Sequence, residues 1–326
     1  MTKSLSIVRD RAPDDAANDA ACDALRGAVV AIGNFDGVHR GHKAVIAAAL
    51  DRAKALSRPA AALTLEPHPR AFFKPAEPLF RLTDEAAKLR LLAATGLDGA
   101  IILTFDAALA SLTAEEFVSR ILVERFAISG AAIGFNFHFG ANRTGSPVFL
   151  AAEGKKHGFA VDVVPPLQDG GQAIASGPIR KALGEGDLDQ AAAFLGYPWF
   201  VSGEVIHGDK RGRELGFPTA NLQLDAACGL RHGVYAVRAA VGGRRYDGVA
   251  NFGRRPMFDN GTVLLEIFLF DFSGDLYGAR IDTAFIAWLR EERNFASAKD
   301  LVRQMQEDTA RAKEALARAG AAFPPI

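Results

Sequence analysis

The stretch AVVAIGNFDGVHRGHKAVIAAALDRAKAL, residues 28–56, decides how the first half of the chain folds. It opens as a short apolar run over 28–32, turns at Gly33 to His42, and continues as a helical pattern over 43–56 with Ile46, Leu50, Ala53 and Leu56 on one face. A Gly-rich turn between a strand and a helix presents backbone N–H groups and a helix N-terminus, an arrangement suited to anions. His39 and His42 stand three apart, so on a first helical turn they face the same way. Gly41 between them lets phosphate approach the backbone, and two imidazoles can donate to the charge growing on a leaving pyrophosphate. Two other readings of the pair are a metal site, for which no third ligand of matching character lies nearby in sequence, and ordinary surface histidines.

Working outward, runs like the first recur at 61–65, 100–105, 131–135 and 160–164, each short and bounded by Gly, Pro or polar residues, as buried parallel strands are. Helical patterns over 83–94 and 113–125 lie between them, each opened by a Thr able to cap it, and Thr113 and Glu116 have capping-box spacing. Repeated strand–helix alternation implies an α/β domain with a parallel sheet. From Trp199 onward the pattern changes. Short strand-like runs at 200–206, 234–241, 246–251, 263–270 and 281–288 follow one another through Gly-, Asp- and Asn-rich connections, which suggests an antiparallel sheet or small barrel. A closing helix over 297–319 starts with a Ser cap and has a charged outer face. The change puts the boundary near 187–198, giving domains 1–186 and 187–326.

Composition bounds the partners. Lys+Arg and Asp+Glu both total 38 in 326 residues, so no global field draws the chain to nucleic acid or to an anionic membrane. No segment approaches the roughly 20 apolar residues of a membrane span, and MTKSLSIVRDRAPDD reaches acidic and Pro residues before any apolar run, so no signal peptide is expected. Cys22 and Cys228 lie far apart and match no metal spacing, making a reducing cytoplasm the expected compartment.

A second constellation lies in SGEVIHGDKRGRELGFPTAN, residues 202–221. Gly208, Gly212 and Gly216 alternate with Lys210, Arg211 and Arg213, which favours an anionic ligand, the alternative being a solvated basic hairpin loop. The string lacks GxxxxGK[ST], so a P-loop is unsupported. In its tail, Thr219 and Asn221 point the same way from an extended segment. Two neutral oxygens suit a Mg²⁺ that keeps waters and takes other ligands from phosphates; a plain turn is the other reading. Further on, Glu266 interrupts the apolar run 263–270, where a carboxylate costs free energy unless it is paired or exposed in a site.

These motifs carry a resemblance. His39-Arg40-Gly41-His42 resembles the HxGH signature of nucleotidylyltransferases, and GNFDGVHRGH resembles specifically the adenylyltransferase half of bacterial bifunctional riboflavin kinase/FAD synthetases. LTLEPHP (63–69), LTAEEFV (112–118), GFNFHFGANRTG (134–145) and IASGPIR (174–180) follow in that family's order. The 202–221 string is similar to the riboflavin kinase signature GxxxGRxLGFPTAN, and HGVYAV (232–237), NFGRRPMF (251–258) and LLEIFLFDFSGDLYG (264–278) agree with it. The likeness runs from Ala28 to Ala319. It implies an N-terminal Rossmann-like nucleotidylyltransferase domain followed by a small antiparallel β-barrel kinase domain with a C-terminal helix.

By that resemblance the substrates are riboflavin, FMN and ATP, with Mg²⁺. Gly33, Asn34, Phe35, Asp36 and Gly41 would cradle ATP, His39 and His42 would contact its phosphates, and Ser176 and Arg180 would close over them. Asn136 and Arg143 would shape the flavin and nucleotide pocket. In the kinase half, Gly208, Lys210, Gly212 and Arg213 would bind ATP, Thr219 and Asn221 would hold the metal, Glu266 would be the catalytic base, and Arg290 would lie near the flavin. The chain departs from the family at Ala175-Ser176-Gly177, where Ser-Ser-Thr is common, and at Pro178, where a residue with a free N–H is usual. Asn136 stands in place of a frequent Asp, Met257 of a Thr and Asn294 of a Lys. The departures in IASGPIR keep open a monofunctional riboflavin kinase with an impaired adenylyltransferase domain; the presence of Glu266, Thr219 and Asn221 speaks against a flavin-binding regulator without turnover, and the kinase half speaks against an HxGH enzyme acting on another acceptor.

Overall fold

The computed structural model describes residues 5–10, 16–207, 217–254 and 263–326. The chain divides into two compact units, one made of 1–79, 83–175 and 326, the other of 80–82 and 176–325.

The first unit is built on six strands, β1 (Ser6–Arg9), β2 (Val29–Ile32), β3 (Ala60–Glu66), β4 (Gly99–Thr104), β5 (Gly130–Gly134) and β6 (Ala160–Val164). All pair in parallel, in the order β1-β4-β3-β2-β5-β6. Helices α1 (Ala16–Leu25), α2 (Arg40–Leu56), α3 (Pro69–Phe73), α4 (Glu85–Ala93), α5 (Ala107–Ser111), α6 (Ala114–Glu116) and α7 (Pro147–His157) make the connections. Every residue of β2 is buried, as a central parallel strand requires. The chain moves from β2 through β3 to β4 on one side and then returns to β5 on the other. The direction therefore reverses between β2 and β5, and open α/β sheets bind ligands beyond the carboxyl ends of strands at such a switch point.

Three details differ from the sequence reading. The buried stripe of α2 is Val45, Ile46, Ala49 and Ala53, while Leu56 is 45% exposed; small residues four apart let the helix approach the sheet, and Leu56 closes the last turn before the left-handed Ser57. Asp84, and not Thr83, caps α4: its carboxylate accepts from the Ala87 N–H at 2.6 Å, because Thr83 is committed to the β2–α2 turn. Strand β6 is half-exposed because it forms an edge, where Asp162 pairs with Arg52 of α2. Thr113 and Glu116 do form a reciprocal capping box, but the helix then widens into a π-helical segment, Phe117–Arg125. A two-residue hairpin, β7 (Gln168–Asp169) and β8 (Gln172–Ala173), completes the unit through Gly170 and Gly171, both at positive φ.

The second unit begins with α8 (Ser176–Glu185) and α9 (Leu188–Leu195), the latter capped by Asp187 and stopped by the left-handed Gly196. Six antiparallel strands follow: β9 (Phe200–Glu204), β10 (Ala220–Gln223), β11 (Gly233–Val241), β12 (Arg244–Arg254), β13 (Val263–Leu269) and β14 (Arg280–Arg290). Their order is β10-β13-β12-β11-β14-β9. An isolated bridge between Ile206 and Asn221, with the Ile206 N–H donating to the Asn221 carbonyl at 2.9 Å, links the two edges and nearly closes a barrel. Tyr235, Phe252, Leu265, Ile267 and Phe285 are buried on one face. On the other, Val234, Ala236, Val249, Phe270 and Leu289 pack against Ala312, Ala315 and Leu316 of α10 (Ala298–Arg318), which Ser297 caps as expected. Among the described residues no helix is long and apolar enough to cross a membrane.

Candidate active sites

Strand β2 delivers the chain at the switch point, and the turn that follows is sterically unusual. Phe35, Gly37 and Val38 all have positive φ, at 50°, 82° and 34°. For a β-branched residue such as Val38 that is a strained conformation, one that persists only where its surroundings fix it. The fixing contacts are present: the Thr83 N–H donates to Asp36 Oδ1 at 3.2 Å, the Gly37 N–H donates to Thr83 Oγ1 at 3.1 Å, and Val38 N–H closes the turn on the Phe35 carbonyl at 3.1 Å. Phe35, Asp36 and Val38 are all buried.

His39 is the N-cap of α2, its Nδ1 accepting from the His42 N–H at 3.2 Å. Where His39 is neutral, that bond makes Nδ1 the acceptor and Nε2 the donor nitrogen. The rings of His39 and His42 stack at 3.6 Å between centroids, and Phe35 meets His42 edge-on at 5.3 Å. A Cβ at Gly41 would stand 3.1 Å from both the His39 ring and the Ile174 carbonyl, so any larger residue would intrude on the pair. Burial, then the neighbouring charges of His39 and Lys88, hold His42 well below the ordinary histidine pKa. Its buried Nδ1 has no hydrogen-bond partner among the described residues.

Lys88 was not anticipated. Only 1% exposed, it reaches from α4 beneath the turn, donating to Glu66 Oε1 at 2.6 Å, to Thr64 Oγ1 at 3.1 Å and to the Asn34 carbonyl at 3.5 Å. Thr64 Oγ1 donates to the same carbonyl at 3.2 Å.

The neighbouring strand β5 ends at Gly134, and Asn136 and Arg143 follow on its loop, both exposed. Asn142 and Arg143 take positive φ, and Phe139 anchors the loop against Phe117, Phe137 and Phe149. The sequence reading also missed a partly exposed aromatic trio beyond the ends of β3 and β4. Phe72, Phe73 and Phe105 meet edge-to-face at 5.3–5.6 Å, with Phe73 63% exposed. Ser176 and Arg180 lie on α8, in the second unit, where Arg180 Nε donates to the Phe80 carbonyl. A Cβ at Gly177 would meet nothing within 4 Å.

In the barrel, register assembles what the sequence scatters. Glu266 of β13 lies opposite Asn221 of β10 on one side and opposite Asn251 of β12 on the other. Directly opposed residues of antiparallel strands share a face, so the three form one polar row. Asn251 is in turn opposite Val234, which packs against α10, so the row lies on the face that α10 covers. Asn221 is 4% exposed, and its Oδ1 is a buried acceptor without a hydrogen-bond partner among the described residues. Thr219 sits two residues earlier, its carbonyl accepting from Asn221 Nδ2 at 3.4 Å. An unsatisfied buried amide oxygen, with a threonine two residues before it, fits a hard cation that takes its remaining ligands from phosphate and water. Asn251 Nδ2 donates to Glu292 Oε1 at 3.1 Å. Arg290 ends the row opposite Val234, where its guanidinium is bidentate to Asp308 of α10 at 2.7–3.1 Å. Gly208, Lys210, Gly212 and Arg213 lie outside the described residues.

An anion cradle at the switch point of a parallel α/β unit, joined in one chain to a barrel with a carboxylate–amide row, defines a two-site protein of the nucleotide-handling class. Comparison with known proteins narrows this. The FAD synthetase family matches residues 22–178 and the riboflavin kinase family residues 195–316. A bifunctional riboflavin kinase/FMN adenylyltransferase of Pseudomonas fluorescens is 41% identical over 88% of this chain and 93% of its own length. Those of Escherichia coli K12 and Bacillus subtilis are 38% and 35% identical over 88% and 86% of this chain, and 92% and 90% of theirs. A crystal structure described as a macrolide-efflux protein from Streptococcus pneumoniae superposes with a TM-score of 0.80 at 28% identity, covering 95% of this chain and 99% of that one. The chain belongs to the bifunctional riboflavin kinase/FMN adenylyltransferase family.

Proposed function

We propose that the chain makes FMN from riboflavin and ATP in a kinase domain, residues 187–326, and FAD and pyrophosphate from FMN and ATP in an adenylyltransferase domain, residues 1–186. The two family matches leave 179–194 between them, which supports a division there. The observation that carries the proposal is the presence, in one chain, of the stacked His39–His42 pair at the switch point and the Asn221–Glu266 pair on the barrel.

In the adenylyltransferase, a phosphate oxygen of FMN attacks the α-phosphorus of ATP, and the bond to the bridging oxygen of pyrophosphate breaks. No covalent enzyme intermediate is needed, so positioning and charge stabilisation supply the catalysis. The turn from Gly33 to Asp36, with Gly41, cradles the triphosphate, and His39 and His42 donate to the oxygens on which charge accumulates. Asn136 and Arg143 bound the nucleotide and flavin pocket, with Phe72, Phe73 and Phe105 as an apolar wall for the isoalloxazine ring.

In the kinase, Glu266 takes the proton of riboflavin's terminal ribityl hydroxyl as that oxygen attacks the γ-phosphorus, and ADP leaves. Gly208, Lys210, Gly212 and Arg213 hold the ATP phosphates. Thr219 and Asn221 would hold Mg²⁺, which when bound offsets phosphate charge. Arg290 stands at the flavin side, kept in place by Asp308. A cytoplasmic location belongs to the same reading, and the free Cys22 and Cys228 are in keeping with a reducing compartment.

Incubation of the purified chain with riboflavin, ATP and Mg²⁺, followed by separation of flavins, tests the proposal. FMN appearing first and FAD after it is the expected course. A riboflavin pool that stays unchanged would refute it.

A further inference from the structure

Lys88 lies apart from the assigned motifs, yet among the described residues it is the most deeply buried cation, and at 1% exposure it is among the largest fully buried side chains. Burying an ammonium costs several kcal/mol unless it is paired and hydrogen-bonded. Here three oxygens accept from it. One is the carboxylate of Glu66, which balances the charge; the second is the Thr64 hydroxyl; the third is the main-chain carbonyl of Asn34.

The third contact links the cation to the turn. Asn34 is the residue before Phe35, the first of the three turn residues (Phe35, Gly37 and Val38) with positive φ. In a trans peptide the C=O and the following N–H point in opposite directions. Holding the Asn34 carbonyl on Lys88 and Thr64 therefore turns the Phe35 N–H away from Lys88 and sets the path by which the chain reaches His39. The strained φ of Phe35 and Val38 needs such external restraint.

We propose that Lys88 is a positioning residue for adenylyl transfer, orienting the β2–α2 turn and its histidine pair toward the ATP phosphates through the Asn34 carbonyl. The inference rests on the reading of the first unit as the adenylyltransferase. A structural ion pair would instead serve stability alone, and the two roles separate cleanly. Lys88→Met by itself removes the ammonium that pairs with the Glu66 carboxylate, which destabilises whatever the role. The double variant Lys88→Met/Glu66→Gln removes both charges of the pair together with the Lys88 contact to the Asn34 carbonyl, with the Thr64 Oγ1 donor left in place.

The test measures FMN-to-FAD turnover, riboflavin phosphorylation and thermal unfolding for the wild type, the single variant and the double variant. The kinase row lies on the barrel, in the other unit, so its activity reports that the barrel is intact, while the thermal transition of the first unit reports whether that unit is folded in each variant. We expect the double variant to phosphorylate riboflavin and unfold much as the wild type does, while kcat for FAD formation falls about 10²-fold, the loss associated with a misplacement of about 1 Å. Wild-type FAD turnover in the double variant would overturn the proposal and leave a structural pair. If the wild-type chain itself forms no FAD, the adenylyltransferase reading falls and this proposal falls with it.

Discussion

Asn221 and Glu266 lie directly opposite each other across β10 and β13, so a buried, unsatisfied amide oxygen and a carboxylate from segments far apart in sequence share one face of the barrel. That pairing joins the proposed metal-holding residue to the proposed base, and it separates the roles experimentally.

Glu266→Gln keeps the shape of the row and removes the base. FMN formation from riboflavin falls 10²- to 10⁴-fold, the range typical of general-base loss. FAD formation from supplied FMN stays at the wild-type rate. Separate assays of the two steps check this, and unchanged phosphorylation would exclude Glu266 as the base.

Asn221→Leu removes the oxygen while filling a similar volume. The Mg²⁺ and ATP concentrations needed for half-maximal phosphorylation both rise, with a smaller change in the requirement for riboflavin. A Mg²⁺ titration of initial rates reads the shift; an unmoved titration would dissociate Asn221 from the metal.

His42 is held neutral by burial and by the adjacent cationic groups, which sets the sign of its pH effect. Above about pH 6.5 the residue is neutral in folded and unfolded chains alike, so it contributes no slope. As pH falls below that value, the unfolded chain takes a proton that the folded one refuses, and stability declines until the depressed folded pKa is reached. FAD formation accordingly shows no His42 inflection near pH 6.5. A rate profile with an inflection there, absent in His42→Gln, would contradict a neutral His42. His42→Gln itself lowers FAD turnover about 10²- to 10³-fold through loss of a charge-stabilising donor.

Asp308→Ala leaves the buried Arg290 guanidinium without its bidentate partner. Removing one member of such a pair costs about 3–5 kcal/mol. Denaturant unfolding of the barrel shifts by that amount, and the requirement for riboflavin rises as α10 loosens. A shift well under 1 kcal/mol would mean the pair adds nothing to the packing of α10.

Much of this architecture was legible in the sequence because it is local. The run 28–32, the Gly-rich turn and the helix after it follow from neighbouring residues, and five of the six parallel strands declare themselves as apolar runs; that His39 is the cap and not a residue of the first turn emerges only from the structure. Strand β1 did not, since four residues with only Val8 buried carry no periodicity. Lys88 was invisible for a different reason: a lysine in a helix beginning Asp-Glu-Ala-Ala reads as solvent-facing, and only the fold reveals that it points at Asn34. Asn251 joins Glu266 through strand register, which no single segment encodes. Thr83 looked like a cap because Thr precedes the helix, yet it was already held by Asp36 and Gly37, residues 46–47 positions away.

The central claim is that one chain performs both steps, and the second is the one whose motif departs from the family pattern, at Ala175, Gly177 and Pro178. Supplying the purified chain with FMN, ATP and Mg²⁺, without riboflavin, and resolving flavins by chromatography tests it most directly. The account predicts FAD accumulating with one pyrophosphate released per FAD formed. No FAD above a no-enzyme control, in a preparation that still phosphorylates riboflavin, would contradict it.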